Sequence, residues 1–308
     1  MEIISTYNLV KKYKDNIVLN NVNMHVHKGD IYGFVGENGA GKTTIIRILS
    51  GLIAPLSGGY KINDDDFIDE NIFQQRKKMS SIVETPSLEK SMTAFENMKM
   101  QCLIKGIKKS DEEINSSLLE VGLDSNIIKK KSVKNFSLGM RQRLGIAVCL
   151  LGDPEIIILD EPMNGLDPQG FIEIRNLIVK LNKEKGVTFL ISSHILAELE
   201  KICTRIGFIS KGVLLEELTI DELHKKARKS IEIVSKDVSL IEDLLKKECA
   251  IKDYEVSSHL IKVFDDIDIN SIMKAIVENK ISIEKINTVE DSIEGYYLKL
   301  LMRGEKNA

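Results

Sequence analysis

The sequence predicts an α/β fold: a domain built on a largely parallel sheet, followed by a small α+β domain. Three observations carry this reading. Short continuous apolar runs, residues 155–159 (EIIIL) and 187–191 (VTFLI), suit central strands buried on both faces. Helical periodicity fills the intervals between such runs, as at 171–184. A glycine-rich turn joins a strand at 30–35 (DIYGFV) to a helix at 42–50.

The remaining elements follow in chain order. Residues 3–10 and 17–26 alternate like strands around the turn residues Asp15 and Asn16, which predicts an antiparallel β subdomain beside the parallel core. Residues 91–131 read as a helical subdomain. The texture changes near Thr219, so residues 1–218 are assigned to the first domain and 219–308 to an accessory one. A short helix opens the second domain, and a basic run follows at 225–229. Then come strand 230–234, helix 238–248, strands 251–256 and 259–264, helix 269–278 and strand 281–287. That β-α-β-β-α-β order is a ferredoxin-like pattern. A last helix is predicted over 290–301.

Composition removes several classes of function. Lys and Arg total 43 against 46 Asp and Glu, a net charge of −3, so no global field draws nucleic acid and no nucleic-acid partner is expected. Trp is absent and aromatics are 5%, which argues against a stacking platform for single strands. No apolar run approaches the roughly 18 residues of a membrane span. The first residues lack the pattern of a secretory signal. Cys102, Cys149, Cys203 and Cys249 lie far apart, as reduced structural thiols do. At 308 residues the chain has the length of about two domains.

Residues 36–43 (GENGAGKT) match G-x-x-x-x-G-K-[ST] at every fixed position, with a strand before and a helix after. Glycines let successive N–H groups cradle phosphate oxygens, and the helix N-terminus adds partial positive charge. The expected phosphate contacts are Gly36, Glu37, Asn38, Gly39, Ala40, Gly41, Lys42, Thr43 and Thr44. Lys42 reaches the β- and γ-phosphates, and the Thr43 hydroxyl suits Mg²⁺. Asp160 and Glu161 end the 156–159 strand, at the sheet edge where open α/β folds bind ligands. Asp160 is placed to hold Mg²⁺, and Glu161 to orient an attacking water. His194 follows the 187–191 strand and shares that edge if the three strands are parallel; there it is placed to meet a γ-phosphate oxygen.

These residues resemble the ATP-binding subunit of ABC transporters. The discriminating element is 136–143 (FSLGMRQR), which looks like the family signature usually written LSGGQ-x-QR. Ser137, Gly139, Gln142 and Arg143 match, while Phe136, Leu138 and Met140 depart. Ser137 is suited to cap a helix whose N-terminus binds an anion. The D-loop (GLDP, 165–168, with Asp167), the switch His194 and Tyr13 complete the set. The resemblance covers residues 1–218 and implies a P-loop NTPase fold of the ABC ATPase type. It implies ATP and Mg²⁺ as cofactors and adenine stacking on Tyr13. It also implies ATP held between the P-loop of one copy and Ser137 and Gly139 of another. Partners are then transmembrane permease subunits and a second ATP-binding subunit, as homodimer or heterodimer, on the cytoplasmic face of the cell membrane.

One departure matters. Where the family usually carries a Gln touching Mg²⁺, this chain has Glu84, an acceptor-only side chain. Glu84, the FSLGM signature and the C-terminal extension resemble the bacitracin-type and lantibiotic-immunity branch, which implies export of a peptide antibiotic. Two rivals stay open at this point: an ABC ATPase not coupled to transport, and a nucleotide-binding regulator with negligible turnover. The lysines at 108–109 and 129–131 read either as solvated faces or as contacts to lipid or a membrane subunit. The second domain reads as either a pairing or regulatory module or a plain structural extension.

Overall fold

The computed structural model describes residues 1–227, 230–249, 251–265, 267–289 and 293–306. Arg228 and Lys229 of the basic run, and Glu290 at the start of the predicted last helix, lie outside the described residues. The chain divides into two compact units, Met1–Ile220 and Asp221–Ala308.

The first unit opens with β1 (Glu2–Tyr13), β2 (Asn16–Val22), β3 (His25–His27), β4 (Ile31–Val35), α1 (Lys42–Leu49), β5 (Ser57–Ile62), β6 (Asp65–Asp66), α2 (Ile72–Lys77) and β7 (Met79–Ile82). It continues with α3 (Ala94–Lys105), α4 (Asp111–Glu120), α5 (Ser125–Ile128), α6 (Leu138–Cys149), β8 (Ile156–Asp160), α7 (Pro168–Lys185), β9 (Thr188–Ser193), α8 (Leu196–Leu199), β10 (Arg205–Ser210) and β11 (Val213–Thr219).

The central sheet has the order β11-β10-β4-β9-β8-β7. All neighbours are parallel except β10 with β11. Every residue of β4, β8 and β9 is buried, as their unbroken apolar runs require. A second sheet, β2-β1-β5-β6 with β3 on β1, is antiparallel. Between the two lies α1, whose Ile45, Ile46, Ile48 and Leu49 pack in one cluster with Ile156 and Ile158 of β8 and with Leu9 and Leu19. Burying each such side chain stabilises by about 1.5–3 kcal/mol, so α1 is fixed firmly.

The helical subdomain spans α3 to α5. Thr93 and Ser110 each close a capping box, with Glu96 and Glu113, and so start α3 and α4. Gly106 ends α3 in the left-handed region, at φ 66°.

Several expectations need correction. The first hairpin turns at Lys14 and Asp15, with Tyr13 opposite Asn16, so Asn16 already belongs to β2. The run 17–26 is two strands, because Asn21 at φ 55° and the Thr6 hydroxyl, which bonds Val22 and Met24, break it. The strand expected at 187–191 continues through Ser192 and Ser193.

The second unit holds α9 (Ile220–Lys226, whose first residue belongs to the first unit), β12 (Ser230–Val234), α10 (Val238–Lys247), β13 (Tyr254–Val256), β14 (Leu260–Val263), α11 (Ile269–Glu278), β15 (Lys285–Val289) and α12 (Ile293–Lys306). The antiparallel sheet β13-β14-β12-β15 has the strand order of a ferredoxin-like unit. The last strand is displaced from the expected 281–287: Ile281 and Ile283 pack against the core instead of joining the ladder. The first of the two middle strands is shorter than expected, beginning at Tyr254.

Candidate functional site

The C-terminal ends of β4, β8 and β9 converge, so three separate sequence segments meet there. In the ladder Val35 lies opposite Ser193 and Asp160 opposite Ser192. The P-loop leaves β4 and enters α1. Gly36 fits because a Cβ there would lie 2.5 Å from the Ile209 carbonyl oxygen. Gly41 sits at φ 108°, where a Cβ would also strike Leu19 at 2.6 Å. Glu37, Asn38 and Gly39 are exposed, Ala40 is buried and Thr44 is half-buried on α1. Lys42 is only 5% exposed, and its Nζ donates to the carbonyls of Gly36 (2.6 Å) and Glu37 (3.1 Å). Its third partner is Glu161 Oε1 at 3.3 Å.

Asp160 is 3% exposed. A buried carboxylate is costly unless its oxygens are bonded. The Thr43 hydroxyl donates to Oδ2 at 2.9 Å and the Ser192 hydroxyl to Oδ1 at 2.6 Å. The Ser192 oxygen also accepts from the Glu161 N–H at 2.9 Å. This hydroxyl and carboxylate pair is the hard-oxygen donor set that Mg²⁺ takes, so Thr43 and Asp160 fit that ion. Glu161 itself stands at φ 50°, which turns its side chain out of the strand direction. Its Oε2 accepts from His194 Nδ1 at 2.6 Å, leaving Nε2 for a further partner.

Five more sequence-predicted residues, Tyr13, Glu84, Ser137, Gly139 and Asp167, have other partners. Tyr13, 43% exposed at the end of β1, has Lys11 Nζ 5.3 Å from its ring centroid. Glu84 follows β7 at φ 63°, and its Oε1 accepts from Arg47 Nη2 at 2.5 Å. Among the described residues it bonds neither Thr43 nor Asp160. Ser137 caps α6, its Oγ accepting from the Met140 N–H at 3.2 Å. Gly139 is tolerant: a Cβ would meet only ordinary contacts, Leu166 at 3.7 Å and Gly170 at 3.8 Å. Asp167 caps α7, accepting from the Gly170 N–H at 3.0 Å. No hydrogen bond or ion pair among the described residues ties Ser137 or Gly139 to the P-loop.

The structure thus brings together residues 36–44, Asp160, Glu161 and His194; among the described residues Ser137 and Gly139 share no hydrogen bond or ion pair with them. Sequence reasoning missed Ser192, Arg47 and Glu198. Ser192 was signalled only by its register opposite Asp160.

Comparison with known proteins adds the class. The ABC transporter family profile matches residues 19–164. The bacitracin transport ATP-binding protein BcrA of Bacillus licheniformis is 44% identical over 308 residues, covering 98% of both chains. The chain belongs to the ABC transporter ATP-binding family. The lantibiotic transport ATP-binding protein SrtF of Streptococcus pyogenes is 43% identical over 219 residues, 71% of this chain and 92% of its own. A solved dimeric ATP-binding cassette, in a post-hydrolysis state with ADP and Pi, matches with a TM-score of 0.63 at 25% identity. That match covers 70% of this chain and 98% of the other. The chain is therefore an ABC ATPase subunit, from a family that hydrolyses ATP, typically with Mg²⁺, and works as dimers with transmembrane permeases. Among the described residues, no helix is long and apolar enough to cross a membrane. All four cysteines are free thiols, and burial pushes Cys149 up to about 12.

Glu198 on α8 gives a pH test of the corner around Glu161. Burial raises its carboxyl above the usual range; His194 lowers it and the Glu161 charge raises it again. A raised acid is penalised once ionised, so Glu198→Gln is expected to melt above wild type near pH 7. Below about pH 4 the group is protonated whether folded or unfolded, and the gap closes. Thermal melts at both pH values check this, and an unchanged gap at low pH would count against it.

Proposed function

We propose that this chain is the ATP-hydrolysing subunit of an ABC exporter for a peptide antibiotic or a similar amphipathic substrate. The observation that carries this reading is the 44% identity to a bacitracin transport ATP-binding protein along 98% of both chains, second unit included. In this reading two ATP-binding subunits, as a homodimer or with a paired relative, sit on the cytoplasmic face of the membrane and are held there by permease subunits. Residues 219–308 form the accessory domain of the subunit.

The site supports a division of labour. Tyr13, exposed at the rim, stacks the adenine. The P-loop N–H groups and the α1 N-terminus bind the phosphates. Lys42 exchanges its bonds to Gly36, Glu37 and Glu161 for phosphate oxygens. Thr43 and Asp160 hold Mg²⁺, with Glu84 as a further ligand; the ion offsets phosphate charge when bound. Glu161, released from Lys42, orients the attacking water, and His194 keeps that carboxylate in place while its Nε2 faces the γ-phosphate. Ser137 and Gly139 of one subunit close on the γ-phosphate held by the other, and Asp167 lies near that seam.

Each role has a test. Lys42→Ala removes a charge-assisted hydrogen bond, which should weaken ATP binding by about 10- to 100-fold. Fluorescence titration with a labelled ATP reads this directly; unchanged affinity would reject the P-loop assignment. Glu161→Gln should keep ATP binding, lose roughly 10²- to 10⁴-fold in turnover, and run as a closed dimer with ATP on gel filtration. The same variant, expressed with a candidate permease subunit in a sensitive strain, should lose the peptide-antibiotic tolerance that wild type confers. If wild type confers none, the cargo assignment fails while the ATPase assignment stands. Gly139→Ala meets no intrachain obstacle and should fold with an unchanged or higher Tm. In the Glu161→Gln background it should nevertheless weaken the ATP-dependent dimer; an undiminished dimer would remove Gly139 from the interface.

A further inference from the structure

Arg47 stands out as a charged residue beside the site to which no role has yet been given. It lies on α1 four residues after Thr43, so the two side chains share one helix face about 6 Å apart. Glu84 approaches from the other side. It is two residues beyond Ile82, whose ladder partner is Leu159, so the loop after β7 runs beside Asp160 and Glu161. The Arg47 guanidinium takes the Glu84 carboxylate at 2.5 Å, and Glu84 pays for that position with a left-handed backbone at φ 63°.

Resting on the nucleotide site proposed above, we propose that Arg47 is a positioning residue that competes with the divalent cation for the Glu84 carboxylate. The loop after β7 then has two tethered positions, one on α1 and one on the metal–triphosphate. The energetics permit exchange. Arg47 and Glu84 side chains are 40% and 63% exposed, and an exposed pair of this kind is weak. A carboxylate that leaves it for a cation loses little. The pair also controls charge: Glu161 pairs with Lys42 and Glu84 with Arg47, while Asp160 is bonded by Thr43 and Ser192. Arg47 holds the Glu84 carboxylate off until a cation arrives. A Gln at position 84 would carry no charge for Arg47 to pair with, so this device depends on the carboxylate.

The test is a double-mutant cycle with Arg47→Gln, Glu84→Gln and the double variant on the full chain. Mn²⁺ binding is read by electron paramagnetic resonance with a non-hydrolysable ATP analogue bound, so no turnover enters. Competition predicts that Arg47→Gln tightens Mn²⁺ by about 2- to 5-fold when Glu84 is present, the range an exposed ion pair supports. In the Glu84→Gln background the same change should do nothing. Weaker Mn²⁺ binding in Arg47→Gln, no change, or the same change in both backgrounds would each overturn the proposal. If Arg47→Gln does not fold, Arg47→Lys keeps the charge but loses the forked geometry, and should tighten Mn²⁺ to a smaller degree; no tightening there overturns the proposal too. Wild type that fails to bind Mn²⁺ with the analogue would reject the nucleotide-site reading itself, a separate result.

Discussion

The buried Asp160 carboxylate is the constraint on which the rest of the site depends. Two hydroxyls satisfy it, Thr43 from α1 and Ser192 from β9, and so it ties three segments distant in sequence to one point. Neither partner is optional, because an unpaired oxygen at 3% exposure would carry its full desolvation cost. The tie also fixes register. Asp160 must face Ser192, and a one-residue slip of β8 would turn it to the opposite face of the sheet. The apolar runs of β4, β8 and β9 supply the stability, and the carboxylate supplies the alignment.

Backbone strain is the second feature that organises the site. Among the described non-glycine residues with positive φ, the only glutamates are Glu84 and Glu161. The others are Asn, Asp and Lys, most of them in turns. A left-handed residue with a full side chain costs about 1–2 kcal/mol, which glycine would avoid. Both positions keep a carboxylate regardless, and each is held by a specific bond. The Ser192 hydroxyl accepts from the Glu161 N–H, and Arg47 takes the Glu84 carboxylate. In each case the left-handed turn carries an acid beyond the end of a strand, Glu161 onto Lys42 and His194 and Glu84 onto Arg47.

The parts that the sequence made legible are those in which neighbouring residues act together. The P-loop, the Asp160–Glu161 pair at a strand end and the Ser137 cap each occupy a short stretch with its own physical logic. Strand and helix assignments succeeded where the apolar pattern was strong, as in the continuous run of β8 and the helically spaced Ile272, Ala275 and Ile276 of α11. They slipped where tertiary pairing overrode local signals. Ser192 and Ser193 look like turn residues, yet the ladder with Asp160 and Val35 keeps them in β9. Ile281 and Ile283 look like strand residues, yet they are spent on the core of the second unit, and the ladder begins at Lys285. Arg47 acts through a partner 37 residues away, and the burial that shifts Glu198 comes from tertiary packing, which no local pattern announces.

The signature helix shares no hydrogen bond or ion pair with the P-loop among the described residues, and that bears on the mechanism. Ser137 spends its hydroxyl on the Met140 N–H, and the first turn of α6 still carries further N–H groups without intrahelical partners. A Cβ at Gly139 would make only ordinary van der Waals contacts, so the chain's own packing does not require a glycine there. A glycine that costs helix stability and fills no internal need is explained by something that comes close from outside. Lys42, Glu161 and His194 form a chain of contacts, with Glu161 between the other two. In the dimer proposed above, a second ATP-binding subunit would join the two surfaces, and the triphosphate would supply the charge that both faces attract. Hydrolysis would split that charge between products, so one bond cleavage would weaken both faces at once.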